Sequence, residues 1–386
     1  MGEIKARKLA FIGPMGSGKS SLGRRYTAKY GGSVFDTDAV FTSRYGSISA
    51  FFERYGEPEF RAREAQLMRE AARSNASVIS TGGGAVLNRA GMNELRRACD
   101  IVYLSAPEEE LARRIARSDR PLKNDLHDIL AARAPLYERY ADRRIDTSVD
   151  SLSELEKALK TPRRKRYDIA LCDSDDTLLD FGKASRTSVV ATAHRLKIPR
   201  ADDEVVKAYT EQNCAVWRML ERGELDRDGL YAERVKRLDK ALGLEIGREF
   251  NEVYVEEMRK TRFVLDGAIG FLDGLGAVGV KVYVITNSFV IFAEERLKAI
   301  GEHIDGAFVS EALGAYKPAP EFFEKVFKLL GNPDKNRTIV FGDSETSDVA
   351  GAKAFGLDSC LYDPTGERAT AADFSVKTYS EFFDII

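Results

Sequence analysis

Lys8-Leu9-Ala10-Phe11-Ile12-Gly13-Pro14-Met15-Gly16-Ser17-Gly18-Lys19-Ser20-Ser21-Leu22 decides how the first half of the chain is read. Residues 8–12 form a short apolar run of strand length. Gly13 to Ser20 fits the phosphate-loop pattern G-x-x-x-x-G-K-[ST] at every fixed position. The stretch from Ser20 to Tyr26 opens a helix. Strand, glycine loop and helix in that order give the pattern its physical meaning. Glycines let the backbone turn so that successive N–H groups face phosphate oxygens, and the helix N-terminus adds partial positive charge. Lys19 is placed to reach the outer phosphates, and the Ser20 hydroxyl to help hold Mg²⁺.

Downstream the alternation continues. Val34-Phe35 leads into Asp36-Thr37-Asp38, and a helix runs from Glu57 to about Arg73. Val78-Ile79-Ser80 ends in Thr81-Gly82-Gly83-Gly84, and Ile101–Leu104 precedes a helix start at Pro107. Strands separated by helices predict a parallel sheet covered on both faces, with ligands at the carboxyl ends of its strands. The loop, the two aspartates and the three glycines all fall at such ends. One aspartate can hold Mg²⁺ through water while the other accepts a hydrogen bond from a hydroxyl acceptor. Taken singly, each feature also has a plain structural reading: a turn or helix cap for Asp-x-Asp, a surface ion pair for Arg61 and Glu64. Arg120-Pro121-Leu122 suits a cationic lid, and Pro135 marks an expected helix boundary just after Arg133.

The bulk properties set limits. At 386 residues the chain exceeds one ordinary core, so two domains are expected. Lys plus Arg is 59 against 61 Asp plus Glu, so no basic field favours nucleic acid. The four cysteines are far apart with no C-x-x-C spacing, which fits a reduced cytoplasm. No apolar run reaches spanning length, the first strand leaves no room for a signal peptide, and Met1-Gly2 lacks the hydroxyl residue of a myristoylation site. A cytoplasmic enzyme with small-molecule partners and no membrane is expected. Oligomeric state is not legible.

Taken together, Gly-Pro-Met-Gly-Ser-Gly-Lys-Ser, Asp-Thr-Asp, Gly-Glu-x-x-Phe-Arg-x-x-Glu, Gly-Gly-Gly-Ala-Val, Arg-Pro-Leu and Arg-x-Pro-Leu-Tyr resemble the shikimate kinases in order and spacing over residues 8–150. The resemblance implies ATP-dependent phosphorylation of the shikimate 3-hydroxyl, a step of aromatic amino acid biosynthesis. It assigns Gly13, Gly16, Ser17, Gly18, Lys19, Ser20 and Ser21 to ATP, and Ser20 with Asp36 to Mg²⁺. Asp38, Arg61, Gly82, Gly83, Gly84 and Arg133 go to shikimate, with Asp38 near the reacting hydroxyl and Arg120 closing over the phosphates. The assignment is chemically coherent, since two arginines can pair a carboxylate. One departure is Thr42, where the family often has Glu; it reads as a weakened supporting contact. Gluconate kinases share the phosphate loop but fit the Phe-Arg-x-x-Glu and triple-glycine pair less well.

A helix over residues 151–160 closes this half. Thr161-Pro162 and the run Arg163-Arg164-Lys165-Arg166 read as a solvated linker, which places the domains at 1–162 and 163–386. A strand from Tyr167 then runs into Asp173-Ser174-Asp175-Asp176-Thr177-Leu178. A helix-rich stretch without strand signals covers about 183–262. Strands return at 280–285, 307–309 and 338–341, ending in or before Thr286-Asn287-Ser288, Lys317-Pro318 and Gly342-Asp343-Ser344-Glu345-Thr346-Ser347-Asp348. Carboxylates crowded at strand ends imply a cation or a reaction. Asp173 suits attack on phosphorus, and Asp175 suits protonating the leaving group and then activating water. Asp173, the Asp175 carbonyl and Asp343 suit Mg²⁺, while Thr286, Asn287 and Lys317 supply donors to phosphoryl oxygens. Asp348 reads as support for Lys317 or the metal shell.

These four clusters resemble the motifs of haloacid-dehalogenase-like phosphatases across residues 167–386, with the helical stretch as the cap. Asp-Asp in place of the commoner Asp-Gly, with Asp180-Phe181-Gly182, is similar to the nucleotidase-like subgroup and implies nucleotides or another small phosphate ester. Trp217, the one tryptophan, reads as cap core or as a base-stacking surface. The fold expected is α/β in two domains: a P-loop kinase sheet with flanking helices, and a Rossmann-like core with a helical cap. The function expected is bifunctional, kinase and phosphatase; the alternative is an active kinase with an idle hydrolase-like domain.

Overall fold

The structure, a computed structural model, describes residues 8–116, 126–161 and 163–386. It divides into two compact units, Met1–Arg166 with Asp384–Ile386, and Tyr167–Phe383.

The first unit is built on five parallel strands: β1 (Lys8–Ile12), β2 (Val34–Asp36), β3 (Val78–Ser80), β4 (Cys99–Ser105) and β5 (Arg143–Asp146), in the order β2-β3-β1-β4-β5. Central strands buried on both faces read as unbroken apolar runs, and Ala10, Phe11, Ile12, Ile101, Val102 and Leu104 are all fully buried. β5 carries no such run. Only Ile145 of Arg143-Arg144-Ile145-Asp146 is buried, because β5 is an edge strand, so sequence reasoning missed it. Connections from β1 leave to β2 and β3 on one side and to β4 on the other. That switch of direction opens a crevice at the carboxyl end of β1, where the glycine loop begins.

Two expectations are corrected here. Pro135 does not end a helix; the helix runs from Leu126 through Tyr140. Proline forfeits one backbone bond, and the buried faces of Tyr137 and Tyr140 hold the segment regardless. The basic run is not a solvated linker throughout. Arg166 is buried, and its side chain grips Asp142 through Nε to Oδ1 at 2.7 Å and Nη2 to Oδ2 at 2.8 Å. Asp142 Oδ2 also accepts from the Ile101 N–H at 2.8 Å, and Arg166 Nη1 donates to the Arg96 carbonyl at 2.9 Å. The first unit therefore extends through Arg166 instead of ending near residue 163. Pro162 lies outside the described residues. Asp142→Ala strands a buried guanidinium, and we expect a loss of about 3–5 kcal/mol in the first unit, read from denaturant midpoints.

The second unit has six parallel strands: β6 (Ile169–Cys172), β7 (Lys281–Thr286), β8 (Gly306–Val309), β9 (Thr338–Gly342), β10 (Asp358–Tyr362) and β11 (Phe374–Val376). Their order is β11-β10-β9-β6-β7-β8. β6 lies between β9 and β7, so the switch point falls at its carboxyl end, next to Asp173. β10 and β11 were not legible in the sequence. β10 begins with polar Asp358-Ser359 yet is fully buried, because Asp358 accepts from the Tyr167 hydroxyl at 2.6 Å. β11 is a three-residue edge strand. Four helices, Phe181–Arg195, Asp202–Glu221, Arg227–Leu242 and Glu249–Arg259, form the cap around a core that includes Val216, Leu230, Leu238, Phe250 and Tyr254.

No helix among the described residues is long and apolar enough to cross a membrane.

Candidate active sites

In the first unit the glycine loop leads from β1 into the helix Lys19–Tyr30. Gly18 is the N-cap residue at φ +87°, a left-handed conformation that L side chains adopt only at a cost, and no side chain caps this helix. No side-chain oxygen caps the N–H groups of the first turn, an arrangement that suits an anion. Lys19 is buried and folds back over the loop, its Nζ donating to the carbonyls of Gly13 at 2.7 Å and Pro14 at 2.9 Å. Ser20 Oγ lies 3.1 Å from Ser80 Oγ at the end of β3, whereas Ser21 is exposed one position along.

Asp36 ends β2 and caps the helix Thr37–Tyr45, accepting from the Ala39 N–H at 3.1 Å. Asp38 lies in the first turn of that helix. A Cβ added to Gly82 would stand 2.6 Å from Asp38 Oδ1, so the glycine loop passes directly over this carboxylate. Two arginines pin the same loop: Arg61 Nη1 donates to the Gly84 carbonyl at 3.1 Å, and Arg133 Nη1 to the Gly83 carbonyl at 3.3 Å. Arg61 also pairs with Glu64 at 2.8 Å and Glu57 at 3.0 Å. The Arg61–Glu64 pair is not the surface contact its spacing allows, because Glu64 is buried. Burial pushes the Glu64 carboxyl up, opposed by Arg61 and reinforced by Asp38. Thr42 spends its hydroxyl on the Asp38 carbonyl, 2.8 Å away on its own helix. Three supporting contacts were not anticipated: Tyr137 OH to the Gly83 carbonyl at 2.5 Å, Asn88 Nδ2 to the Arg61 carbonyl at 2.7 Å, and the Gly82 N–H to Thr37 Oγ1 at 3.1 Å. Tyr137 closes the Arg-x-Pro-Leu-Tyr stretch, so its signal was present but unread. Arg120 lies outside the described residues.

In the second unit Lys317 is the centre. Its buried Nζ donates to Asp173 Oδ1 at 2.6 Å, Asp348 Oδ1 at 2.6 Å and the Ile285 carbonyl at 2.9 Å. Burial alone would lower the Lys317 pKa; the two aspartates outweigh it and raise it. Asp348 is brought there by a π-helical turn, Glu345–Val349, which also lets its Oδ2 accept from the Ser344 N–H at 3.1 Å. Gly342 is required by this approach, since a Cβ there would meet Asp348 Oδ2 at 2.2 Å. Asp173, Asp343 and Asp348 each offer an oxygen within 4.8 Å of the others. Burial pushes Asp173 well up, against the pull of Lys317, and Asp343 is pushed up to about 7 by burial, Asp348 and Asp176. Three carboxylates around one ammonium leave a buried surplus of negative charge, so the donor set fits a divalent cation. Thr177 Oγ1 donates to Asp343 Oδ1 at 3.3 Å and Arg368 Nη1 to its carbonyl at 2.8 Å; sequence reasoning missed both.

Thr286 accepts from Ser174 Oγ at 2.9 Å and from the Ser288 N–H at 3.1 Å. Asn287 follows Thr286 at the carboxyl end of β7. Its amide is committed to Lys317, donating to the Lys317 carbonyl at 2.9 Å and accepting from the Lys317 N–H at 2.9 Å and Ser310 Oγ at 2.8 Å. It shapes the lysine's loop. Asp175 stands outside the carboxylate cluster, and its Oδ1 accepts from Arg296 Nη1 at 2.6 Å. Asp176, in the place of the commoner glycine, keeps a positive φ of 56°. Its carboxylate offsets that strain by accepting from the N–H groups of Phe181 and Gly182, at 3.1 and 3.2 Å. Trp217 stacks on Phe289 at 5.3 Å, which makes it cap core.

The raised carboxylates give a pH signature. The ordinary aspartate value is about 3.9. Asp343 therefore holds its proton in the folded protein between roughly pH 4 and 7, while the unfolded chain has lost it. Its contribution to stability is full below pH 4 and lost as pH rises towards 7. We expect the melting temperature of the metal-free protein to fall over that window, and the gain on adding Mg²⁺ to grow from pH 5 to pH 8. A Mg²⁺ gain independent of pH would count against the cluster as its binding site.

Each unit is thus a parallel α/β fold with charged groups gathered at the switch point of its sheet. The model of the shikimate kinase family matches residues 15–161, and that of the haloacid dehalogenase-like hydrolases matches residues 167–356. The shikimate kinase of Xanthomonas campestris pv. campestris (strain 8004) is 37% identical over 159 residues, which cover 39% of this chain and 87% of that protein. YfnB of Bacillus subtilis (strain 168), named as a HAD-hydrolase, is 31% identical over 203 residues, covering 52% of this chain and 86% of YfnB. A crystal structure of YfnB bound to magnesium superposes with a TM-score of 0.53 at 29% identity, covering 57% of this chain and 99% of that one. The chain belongs to two enzyme families, the shikimate kinases in its first unit and the haloacid dehalogenase-like hydrolases in its second.

Proposed function

We propose that the protein is bifunctional, an ATP-dependent shikimate kinase joined to a Mg²⁺-dependent phosphomonoesterase. The observation that carries this is convergence. Residues far apart in sequence meet at the carboxyl ends of the strands in each unit, Asp38, Arg61 and Arg133 around the triple glycine, and Asp173 and Asp348 on Lys317 with Asp343 beside them. The kinship to the Xanthomonas shikimate kinase and the magnesium in YfnB support it.

In the first unit the N–H groups of residues 16–20 and Lys19 bind the ATP phosphates. Ser20 and Asp36 would hold Mg²⁺, which would shield the phosphate charge. Arg61 and Arg133 pair the shikimate carboxylate, each giving up a carbonyl partner to do so. Asp38 accepts the proton of the reacting hydroxyl. In the second unit Asp173 attacks phosphorus, and Asp175 protonates the departing alcohol and then takes a proton from water. Thr286 and Lys317 hold phosphoryl oxygens. Asp173, Asp343 and the Asp175 carbonyl would hold Mg²⁺, which would offset the negative charge of the phosphate.

Two opposed phosphate reactions in one chain constrain the second substrate. Hydrolysis of shikimate 3-phosphate would consume ATP without product, so another ester, with nucleoside monophosphates first in line, is the preferred substrate. A panel of phosphate esters on a Lys19→Ala variant isolates the second site. Nucleotides or other small esters are expected to be cleaved faster than shikimate 3-phosphate, and equal rates would sink the assignment. Shikimate-dependent ADP release by the wild type tests the first site.

A further inference from the structure

Arg296 ends the helix Val290–Arg296 and has no part in the motifs of the second unit. Its side chain is only 4% exposed, and it pairs with Asp175, whose side chain is 28% exposed. Among the described residues Asp175 is its one carboxylate partner, at 2.6 Å from Nη1. The guanidinium lies against the Phe181 ring, 5.7 Å from its centroid, and Nη2 is buried without a hydrogen-bond partner. A guanidinium is costly to bury, and leaving one nitrogen unsatisfied adds to that cost. A pair needed only for stability would be placed more cheaply at the surface. The backbone beside Asp175 is already fixed: the Asp176 N–H donates to the Leu179 carbonyl at 2.7 Å, and the Asp176 carboxylate caps the next helix. What remains free in Asp175 is its side-chain rotation, and Arg296 fixes that.

We propose that Arg296 is a positioning residue for Asp175, holding the carboxyl group at the edge of the site where the leaving alcohol departs. The inference rests on the phosphomonoesterase reading above. In the first step an Asp173 oxygen bonds to phosphorus, the ester P–O bond breaks, and the leaving oxygen takes the proton of the Asp175 carboxyl group. In the second, Asp175 takes a proton from water, whose oxygen bonds to phosphorus, releasing inorganic phosphate and freeing Asp173. An aryl phosphate such as p-nitrophenyl phosphate releases a stable anion and needs little protonation, while a primary alkyl phosphate needs it in full.

The test compares these two esters in the full-length protein with Mg²⁺, using kcat/KM, which reports only the steps through departure of the alcohol. For Arg296→Ala we expect kcat/KM on the alkyl ester to fall about 10²-fold and on the aryl ester by less than about 5-fold. Millimolar guanidinium restores part of the alkyl activity. Arg296→Lys, which keeps a charge at the position and guards against misfolding of the alanine variant, shows the same selectivity with a smaller loss. Equal losses on both esters without guanidinium rescue, or no loss, overturn the inference while leaving the hydrolase reading intact. A wild type that cleaves neither ester overturns both.

Discussion

Replacing Asp173 by asparagine is expected to lower phosphomonoester turnover by roughly 10³-fold or more, the scale of losing a covalent nucleophile. Shikimate-dependent ADP release should persist, because that chemistry belongs to the first unit. The variant tests more than the nucleophile. Asp173 sits in a cluster with a surplus of buried negative charge, and burial resists its ionisation. Asparagine keeps the shape and removes one charge, while Lys317 retains Asp348 and the Ile285 carbonyl. The metal-free variant should therefore melt no lower than the wild type, and its melting point should respond less to Mg²⁺. A variant that melts much lower would mean that Asp173 serves Lys317 before it serves a substrate. Unchanged phosphatase turnover would instead favour an idle hydrolase unit.

Lys19→Ala is expected to lower kcat/KM for ATP by about 10³-fold, comparable to removing other cationic groups that stabilise phosphoryl transfer. Lys19 is the buried cation of the glycine loop, and its bonds to the Gly13 and Pro14 carbonyls hold that loop in shape. Alanine removes the charge and the brace together. Lys19→Arg separates the two, since the longer planar fork can keep charge but does not match the site. If arginine restored most of the activity, charge alone would be the requirement. Cleavage of phosphate esters by the second unit should be unchanged in both variants, measured in the same preparation.

Much of this was legible because the chemistry is written in local stretches. A phosphate loop must be contiguous, so Gly13–Ser20 declared itself, as did Asp173-Ser174-Asp175 at the end of an apolar run. What escaped was set by contacts between distant segments. β10 looked polar at its start because the partner of Asp358, Tyr167, is 191 residues away. Arg166 looked like linker because its partner, Asp142, lies 24 residues away, in the loop before β5. The side-chain amide of Asn287 holds the backbone of Lys317, 30 residues away, a contact that the local stretch does not declare.

By itself the sequence determined the class of each half and the stretches that end its strands, since apolar periodicity fixes strands and helices and motif spacing fixes their ends. Only the tertiary structure decided which charges share a counterion. It set two carboxylates on Lys317 with a third beside them, gave Asp175 to Arg296, buried Glu64 beside Arg61, and let Asp176 stand where a glycine is usual. The physical reason is that the energy of a charge depends on its burial and on the charges within a few ångströms, and chain order does not specify either.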